Sequence, residues 1–427
     1  MTTTIDRSID ASVTDSSPDF GHATHLTCRE CGAEYGLGAA YACVECFGPL
    51  EVAYDLSTVT REEIEAGPRS IWRYSPLLPV AAYAKDEPNL APGFTKLVRA
   101  DNLADRLGMS APLWVKDDSG NPTHSFKDRV VAVAQSAARR LGLSTIACAS
   151  TGNLANAVAA AAARAGMGSV VVIPADLEAG KTITTATYGG TLLAVDGNYD
   201  DVNRLCSELI GDPITQTWGF VNVNLRPYYA EGSKSMGYEI AEQLGWRVPE
   251  QVVIPVASGS LLTKVDKAFR ELTKLGIIAD EEYAVYGAQA TGCSPVAQAF
   301  SEGQEVVRPV KPDTIAKSLA IGNPADGPYA LGAVRRTGGA ITSIPDPEIV
   351  SGIRLLAETE GIFAETAGGV TLGNFIRLLE SGQASRDKET VLANTGDGLK
   401  TLNAVEDVVG PTATISPSVA EVKAVIH

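Results

Sequence analysis

VKDDSGNPTHSFKDRVVAVA, residues 115–134, is the stretch from which the rest of this chain is best read. Asn121, Pro122 and Thr123 form a turn, and Ser125 is placed to cap a helix. The apolar run begins just beyond Lys127, so the lysine falls in the first helical turn. The positive end of a helix favours acids over cations. A lysine there is therefore electrostatically misplaced unless its amine is wanted for chemistry, as in covalent catalysis. A solvated surface lysine beside Asp128 and Arg129 is the plainer alternative, and spacing alone does not separate the two.

Outward from this stretch the pattern alternates. FKDRVVAVAQSAARRL (126–141) and NLANAVAAAAARA (153–165) read as helices, and TIACA (145–149) between them as a buried strand. SVVVI (169–173), TLLAV (191–195), GFVNV (219–223), QVVIPV (251–256), YAVYGAQ (283–289) and TVLAN (390–394) are further strand candidates. Apolar, β-branched strands alternating with helices predict an α/β fold whose parallel sheets are covered on both faces. Ligands in such folds sit at the carboxyl ends of strands, where glycine-bearing turns lead into helices. Three turns fit: STGN (150–153) after TIACA, ASGSLLT (257–263) after QVVIPV, and TGDGLK (395–400) after TVLAN. Ordinary turn chemistry explains any one of them alone, since Gly, Asn and Ser dominate turns.

The 427 residues suggest two or three domains at about 150 residues each. With 45% hydrophobic and 20% charged residues the chain can bury a large core. Its 35 basic and 51 acidic residues give a net charge of −16, a sign that repels a phosphate backbone and argues against nucleic-acid binding. No apolar run approaches the roughly 20 residues of a membrane helix. The start, MTTTIDRSIDASVTDSSPDF, lacks the basic and apolar regions of a secretion signal. The expectation is a cytoplasmic protein without a membrane partner. Residues 1–24, rich in Ser, Thr and Asp, read as a disordered leader. The tail 411–427 is similar at first, with VAEVKAVI as a short docked helix.

Cys28, Cys31, Cys43 and Cys46 form C-x2-C-x11-C-x2-C within a module of residues 25–54. Thiolates at this spacing can surround one Zn²⁺ tetrahedrally from two short turns. With four sulfur ligands and no open position, such a zinc is structural. Arg29 is the only Lys or Arg in the module, which argues against a nucleic-acid ribbon. Cys148, Cys206 and Cys293 are scattered singly, against a secreted disulfide framework.

NPTHSFKDR, STGN, SGSLLT and TGDGLKT, in this order, resemble the fold-type II pyridoxal-phosphate enzymes, and more closely the threonine synthase family with a cysteine-rich N-terminal segment. EAGKTITTATYGGTLLAVDGNYDDV (178–202), SLAIGNPADG (318–327) and ETAGGVTLG (365–373) extend the resemblance from residue 25 to about 405. It implies a tryptophan synthase β-like fold of two α/β domains with mainly parallel sheets, preceded by a small zinc-ribbon-like segment. Residues 55–140 and 226–410 would form the large domain, which binds pyridoxal 5′-phosphate, and 141–225 the small one.

The resemblance also implies roles. Lys127 corresponds to the lysine that bonds to the cofactor's aldehyde and later shuttles protons. Asn153 corresponds to the asparagine at the cofactor's 3′ oxygen. Ser258, Gly259, Ser260, Leu261, Leu262 and Thr263 occupy the place of the phosphate cup, where backbone N–H groups at a helix start hold a dianion. Thr395 would face the pyridine nitrogen. The implied reaction converts O-phospho-L-homoserine and water to L-threonine and phosphate. Because the substrate carries its own phosphate, a second anion site is expected, with Ser150, Lys181, Asn222, Asn224 and Arg226 as candidates. The family suggests a homodimer. His124, Leu154 and Lys96 depart from its commonest pattern. They leave room for a relative acting on another amino acid, such as a cysteate synthase or a threonine dehydratase, or for a non-catalytic zinc-ribbon binding protein.

Overall fold

The computed structural model describes residues 19–426 apart from 82, 83, 151, 176, 178 and 198. The larger sheet has six strands, in the order Ile341–Ile344, Ala284–Ala290, Gln251–Pro255, Thr390–Asn394, Leu113–Asp117 and Lys96–Arg99. All neighbours are parallel except the edge strand Lys96–Arg99, which runs antiparallel to Leu113–Asp117. QVVIP and TVLAN are buried at every position, because helices cover both faces and leave no side for polar alternation. The smaller sheet is parallel throughout, in the order Thr191–Val195, Gly168–Pro174, Thr145–Ala149 and Trp218–Phe220.

The lysine helix, Lys127–Arg140, links the two sheets: it follows Leu113–Asp117 of the larger and precedes Thr145–Ala149 of the smaller. Its start is held differently from the expected Ser125 cap. The cap position is Phe126, without a side-chain bond, and the buried Ser125 hydroxyl has no partner among the described residues. Thr123 closes the turn instead, donating to Asp128 from its backbone N–H (2.7 Å) and its hydroxyl (2.8 Å). The Phe126 N–H donates to the Thr395 carbonyl (2.9 Å), tying the lysine segment to the turn after Thr390–Asn394.

The cysteine module forms a three-stranded antiparallel sheet, ordered Glu34–Tyr35, Ala23–Cys28 and Leu50–Tyr54. Three expectations change in the structure. Phe20 is buried and stacks on Tyr228 with centroids 5.2 Å apart, so the chain is packed before residue 24; residues 1–18 lie outside the described residues. The strand in GFVNV stops at Phe220, because Asn224 folds back to accept the Phe220 N–H at 2.8 Å. VAEVKAVI is helical over Val419–Ile426 but exposed along its length, so it is not docked. No helix among the described residues is long and apolar enough to cross a membrane.

Candidate active site

Three strand-to-helix turns and the lysine helix meet at one crevice. Lys127, half-buried, lines it with its amine 3.2 Å from the Tyr229 hydroxyl. Beneath it, the first turns of the lysine helix are fixed by a buried ion cluster. Arg129 donates from Nε to Asp118 (2.7 Å) and from Nη2 to Glu239 (2.7 Å), and Lys116 donates to the same Glu239 carboxylate (2.6 Å). Burial alone would raise the Glu239 carboxyl; the adjacent Arg129 and Lys116 charges more than reverse this and hold it at about 2. Asp128 goes the other way: burial dominates and pushes it up to about 6, against the Thr123 bonds and the Lys400 charge.

On the opposite wall, strand Gln251–Pro255 turns through Ser258 into helix Ser260–Lys274. The cap residue Gly259 has φ +95°, and a Cβ there would lie 2.7 Å from the Asp326 carbonyl oxygen, so both backbone and space require glycine. The first-turn amides of this 15-residue helix have no intrahelical carbonyl to bond. Beside them the Ser260 and Ser318 hydroxyls are buried at the crevice without a partner among the described residues. Amides without an intrahelical carbonyl, of which that of Ser260 makes only a long bond to the Ser258 hydroxyl (3.4 Å), and two uncommitted hydroxyls form a donor set suited to a phosphate dianion. The residues present therefore fit a phosphate-bearing cofactor.

Asn153 opens helix Asn153–Ala165, and its amide donates to Glu365 Oε2 at 2.9 Å. The Thr395 hydroxyl donates to Glu365 Oε1 at 3.3 Å. Glu365, 2% exposed, thus joins two of the predicted residues within the crevice. Gly396 leaves room for it, since a Cβ there would come 2.5 Å from the Glu365 carboxyl carbon. Sequence reasoning assigned roles to neither Glu365 nor Tyr229. An acid preceding a helix is ordinary, and only the meeting of distant segments marks either residue.

The structure brings Lys127, Asn153, Ser258, Gly259, Ser260, Leu261 and Thr395 to one crevice. It does not bring Leu262, Thr263, Ser150, Asn222, Asn224 or Arg226 there. Leu262 is fully buried in the core behind the cup, and the Thr263 N–H is taken by the Gly259 carbonyl inside the helix. Ser150 caps its own turn, accepting from the N–H groups of Gly152 (3.1 Å) and Ala155 (3.0 Å). Asn222 donates to the Ala149 carbonyl (3.3 Å), and its buried Oδ1 has no partner among the described residues. Asn224 is committed to the Phe220 turn, and Arg226 to an ion pair with Asp326 at 2.6 Å. The Lys181 side chain lies outside the described residues.

At the ribbon, the sulfurs of Cys28, Cys31, Cys43 and Cys46 all lie within 4.8 Å of one another. A tetrahedron with metal–sulfur bonds of about 2.3 Å has edges of about 3.8 Å. The observed Cys28–Cys46 and Cys31–Cys43 separations are 3.4 and 3.6 Å, so the cluster is compatible with zinc. The Tyr35 hydroxyl, 3.1 Å from Cys43 Sγ, is the largest influence drawing that thiol down to about 6.

The sequence model described as "Pyridoxal-phosphate dependent enzyme" matches residues 89–396, and the chain belongs to that family. Within it the relatives are specific. The chain is 36% identical over 411 residues to the threonine synthase of Methanosarcina acetivorans, covering 94% of this chain and 98% of that protein. It is 37% identical over 382 residues to the threonine synthase of Methanocaldococcus jannaschii, covering 87% and 92%. At that identity and coverage it is a member of the threonine synthase family. Two solved structures share the fold at lower identity. They are the diaminopropionate ammonia lyase from Escherichia coli (TM-score 0.62, 19% identical, 77% of this chain and 92% of that one) and maize serine racemase (TM-score 0.60, 19%, 73% and 91%).

Proposed function

We propose that this chain binds pyridoxal 5′-phosphate at Lys127 and converts O-phospho-L-homoserine and water to L-threonine and phosphate. The observation that carries the reading is one crevice holding the lysine amine, the donor-rich turn 258–261, Asn153 and Thr395. Lys127 would hold the cofactor covalently, Ser258–Leu261 its phosphate, and Asn153 and Thr395 the polar edges of its ring. Bound there, the cofactor supplies an electron sink that makes protons on the substrate's α and β carbons removable and lets the γ phosphate leave.

The remaining demands fall on the chain. Protons must leave Cα and Cβ, phosphate must leave Cγ, Cγ and Cα must regain protons, and water must add at Cβ. One amine beside neighbouring carbons can serve as the repeated acid and base. Lys127 is held for that work by the Arg129 cluster below it and by the hydrogen bond its amine gives Tyr229. For the substrate phosphate we assign Ser150, Lys181 and Asn222, near the carboxyl end of the smaller sheet. Arg226 and Asn224 are left out, the first matched by Asp326 and the second spent on the Phe220 turn, whereas Ser150 only accepts in its own turn and keeps a hydroxyl proton to donate, and Asn222 keeps a second amide proton. The same reading places a structural zinc at the four cysteines and a homodimer in the cytoplasm.

The test is to incubate purified protein and cofactor with O-phospho-L-homoserine and follow inorganic phosphate and threonine together. Equal yields are expected. Phosphate released without threonine would assign the intermediate a different fate and the chain a different reaction.

A further inference from the structure

We propose that the cysteine ribbon is a brace for the cofactor's phosphate turn, and that Arg29 and Asp326 are the positioning residues through which zinc at the four sulfurs tightens cofactor binding. The inference rests on the cofactor site proposed above and gives the ribbon a task within it.

Arg29 and Glu30 are the two residues between Cys28 and Cys31, so a metal held by those sulfurs fixes the backbone that carries them. Both reach across to the start of helix Gly327–Arg336. Arg29 Nη1 lies 3.4 Å from Asp326 Oδ1, and its guanidinium sits 3.5 Å from the centroid of the Tyr329 ring. The Tyr329 hydroxyl is bonded to Glu30. Asp326, with a side chain 7% exposed, is in turn pressed on the cup. Its N–H donates to the Ser258 carbonyl at 2.8 Å, and its own carbonyl oxygen occupies the space that makes Gly259 obligatory.

The other Asp326 oxygen holds Arg226, at the start of the short helix that presents Tyr229 to Lys127. A second tie runs in parallel. Glu51, on ribbon strand Leu50–Tyr54, pairs with Lys264 one turn into the cup helix. A module of about 30 residues cannot bury enough surface to hold its own shape, so its order depends on metal and on what it leans against. With the sulfurs unligated, the Cys28–Cys31 knuckle loosens and Arg29 no longer holds Asp326. The backbone of residues 258–260 then loses its outer wall. Cys31 and Cys46 are exposed, so a chelator can reach the metal.

The experiment uses full-length protein, zinc-loaded or stripped by chelator, with zinc content measured and the dissociation constant for pyridoxal 5′-phosphate read by fluorescence titration. Stripping the wild type should weaken cofactor binding about tenfold, within the roughly 5–150-fold span of coupling between sites. Arg29→Met keeps the stem on Tyr329 and removes the cation. It should retain one zinc per chain, bind cofactor about tenfold more weakly, and lose nothing further on stripping. Arg29→Lys should recover part of the loss. Asp326→Asn should behave as Arg29→Met does.

The proposal is overturned if stripping weakens Arg29→Met as much as wild type, or if neither stripping nor substitution moves the dissociation constant. A wild type that takes up no zinc also overturns it. Should the stripped chain unfold by circular dichroism, the comparison of zinc-loaded wild type with zinc-loaded Arg29→Met decides alone. Failure of the cofactor reading looks different, since wild type would then take up no pyridoxal 5′-phosphate at any zinc content, and the brace would fall with it.

Discussion

A cation in the first turn of a helix faces the partial positive charge of the backbone amides, and Lys127 accepts that position with its amine turned to the Tyr229 hydroxyl. Replacing Lys127 with Ala should abolish the visible absorbance band of the cofactor-loaded protein and lower turnover by roughly 10²–10⁴-fold or more; an unchanged band would show that another amine holds the cofactor. Gly259 carries a different constraint, a left-handed backbone against a backbone oxygen. Gly259→Ala should cost about 1–3 kcal/mol in strain, read as a lower melting temperature together with a raised cofactor dissociation constant. Lys127 drew notice because its residue type conflicts with its position, and its role was legible only through the family resemblance of NPTHSFKDR and the three glycine-bearing turns. Glu365 was not, because an acid at a helix start fits local physics whether or not it also gathers Asn153 and Thr395.

At the scale of elements, the lysine helix is positioned from below. Arg129, fully buried, is bonded to Asp118 and Glu239, and the latter also holds Lys116. Replacing Arg129 with Met would leave Asp118 buried without its cation and Glu239 with Lys116 alone, a loss of about 3–5 kcal/mol; urea unfolding followed by circular dichroism measures it, and a loss under about 1 kcal/mol would mean the cluster does not hold the helix. QVVIP and TVLAN were readable as uninterrupted apolar runs, whereas LWVKD, which ends in Lys116 and Asp117, was not read as a strand although the larger sheet places it beside TVLAN. ITSI and KLVR are shorter and more polar, and the larger sheet acquires them only as its two edges. Ser125 reads as a cap by residue type, yet Thr123 and Asp128 close the turn, since the lysine segment is also pinned to the Thr395 carbonyl from another strand.

Across the whole molecule, carboxylates of opposite tendency set the response to acid. Burial would raise Glu51, but Lys264 and Lys267 bring it to about 2, as Arg129 and Lys116 do for Glu239. Both lie below the ordinary value of 4.5, so the stability they contribute is complete above about 4.5 and lost as pH falls toward 2. Asp128, raised to about 6 from 3.8, acts oppositely, lowering stability as pH rises between those values. Thermal melts should therefore fall steeply below pH 4.5, and Asp128→Asn should flatten the shallower decline between pH 4 and 6; melts independent of pH from 5 to 2 would contradict both assignments.

The sequence by itself determined the alternation that builds parallel sheets, the three glycine-bearing turns, the out-of-place lysine and the cysteine spacing. Each is a local pattern whose physics is complete within a few residues. Only the tertiary structure decided that Arg226 answers Asp326 a hundred residues away, that Glu365 sits between Asn153 and Thr395, and that the ribbon leans on Asp326 and Lys264, which adjoin the turn expected to hold phosphate. Those are pairings of charge and space between distant segments, and a lone side chain carries no mark of the partner that folding will bring to it.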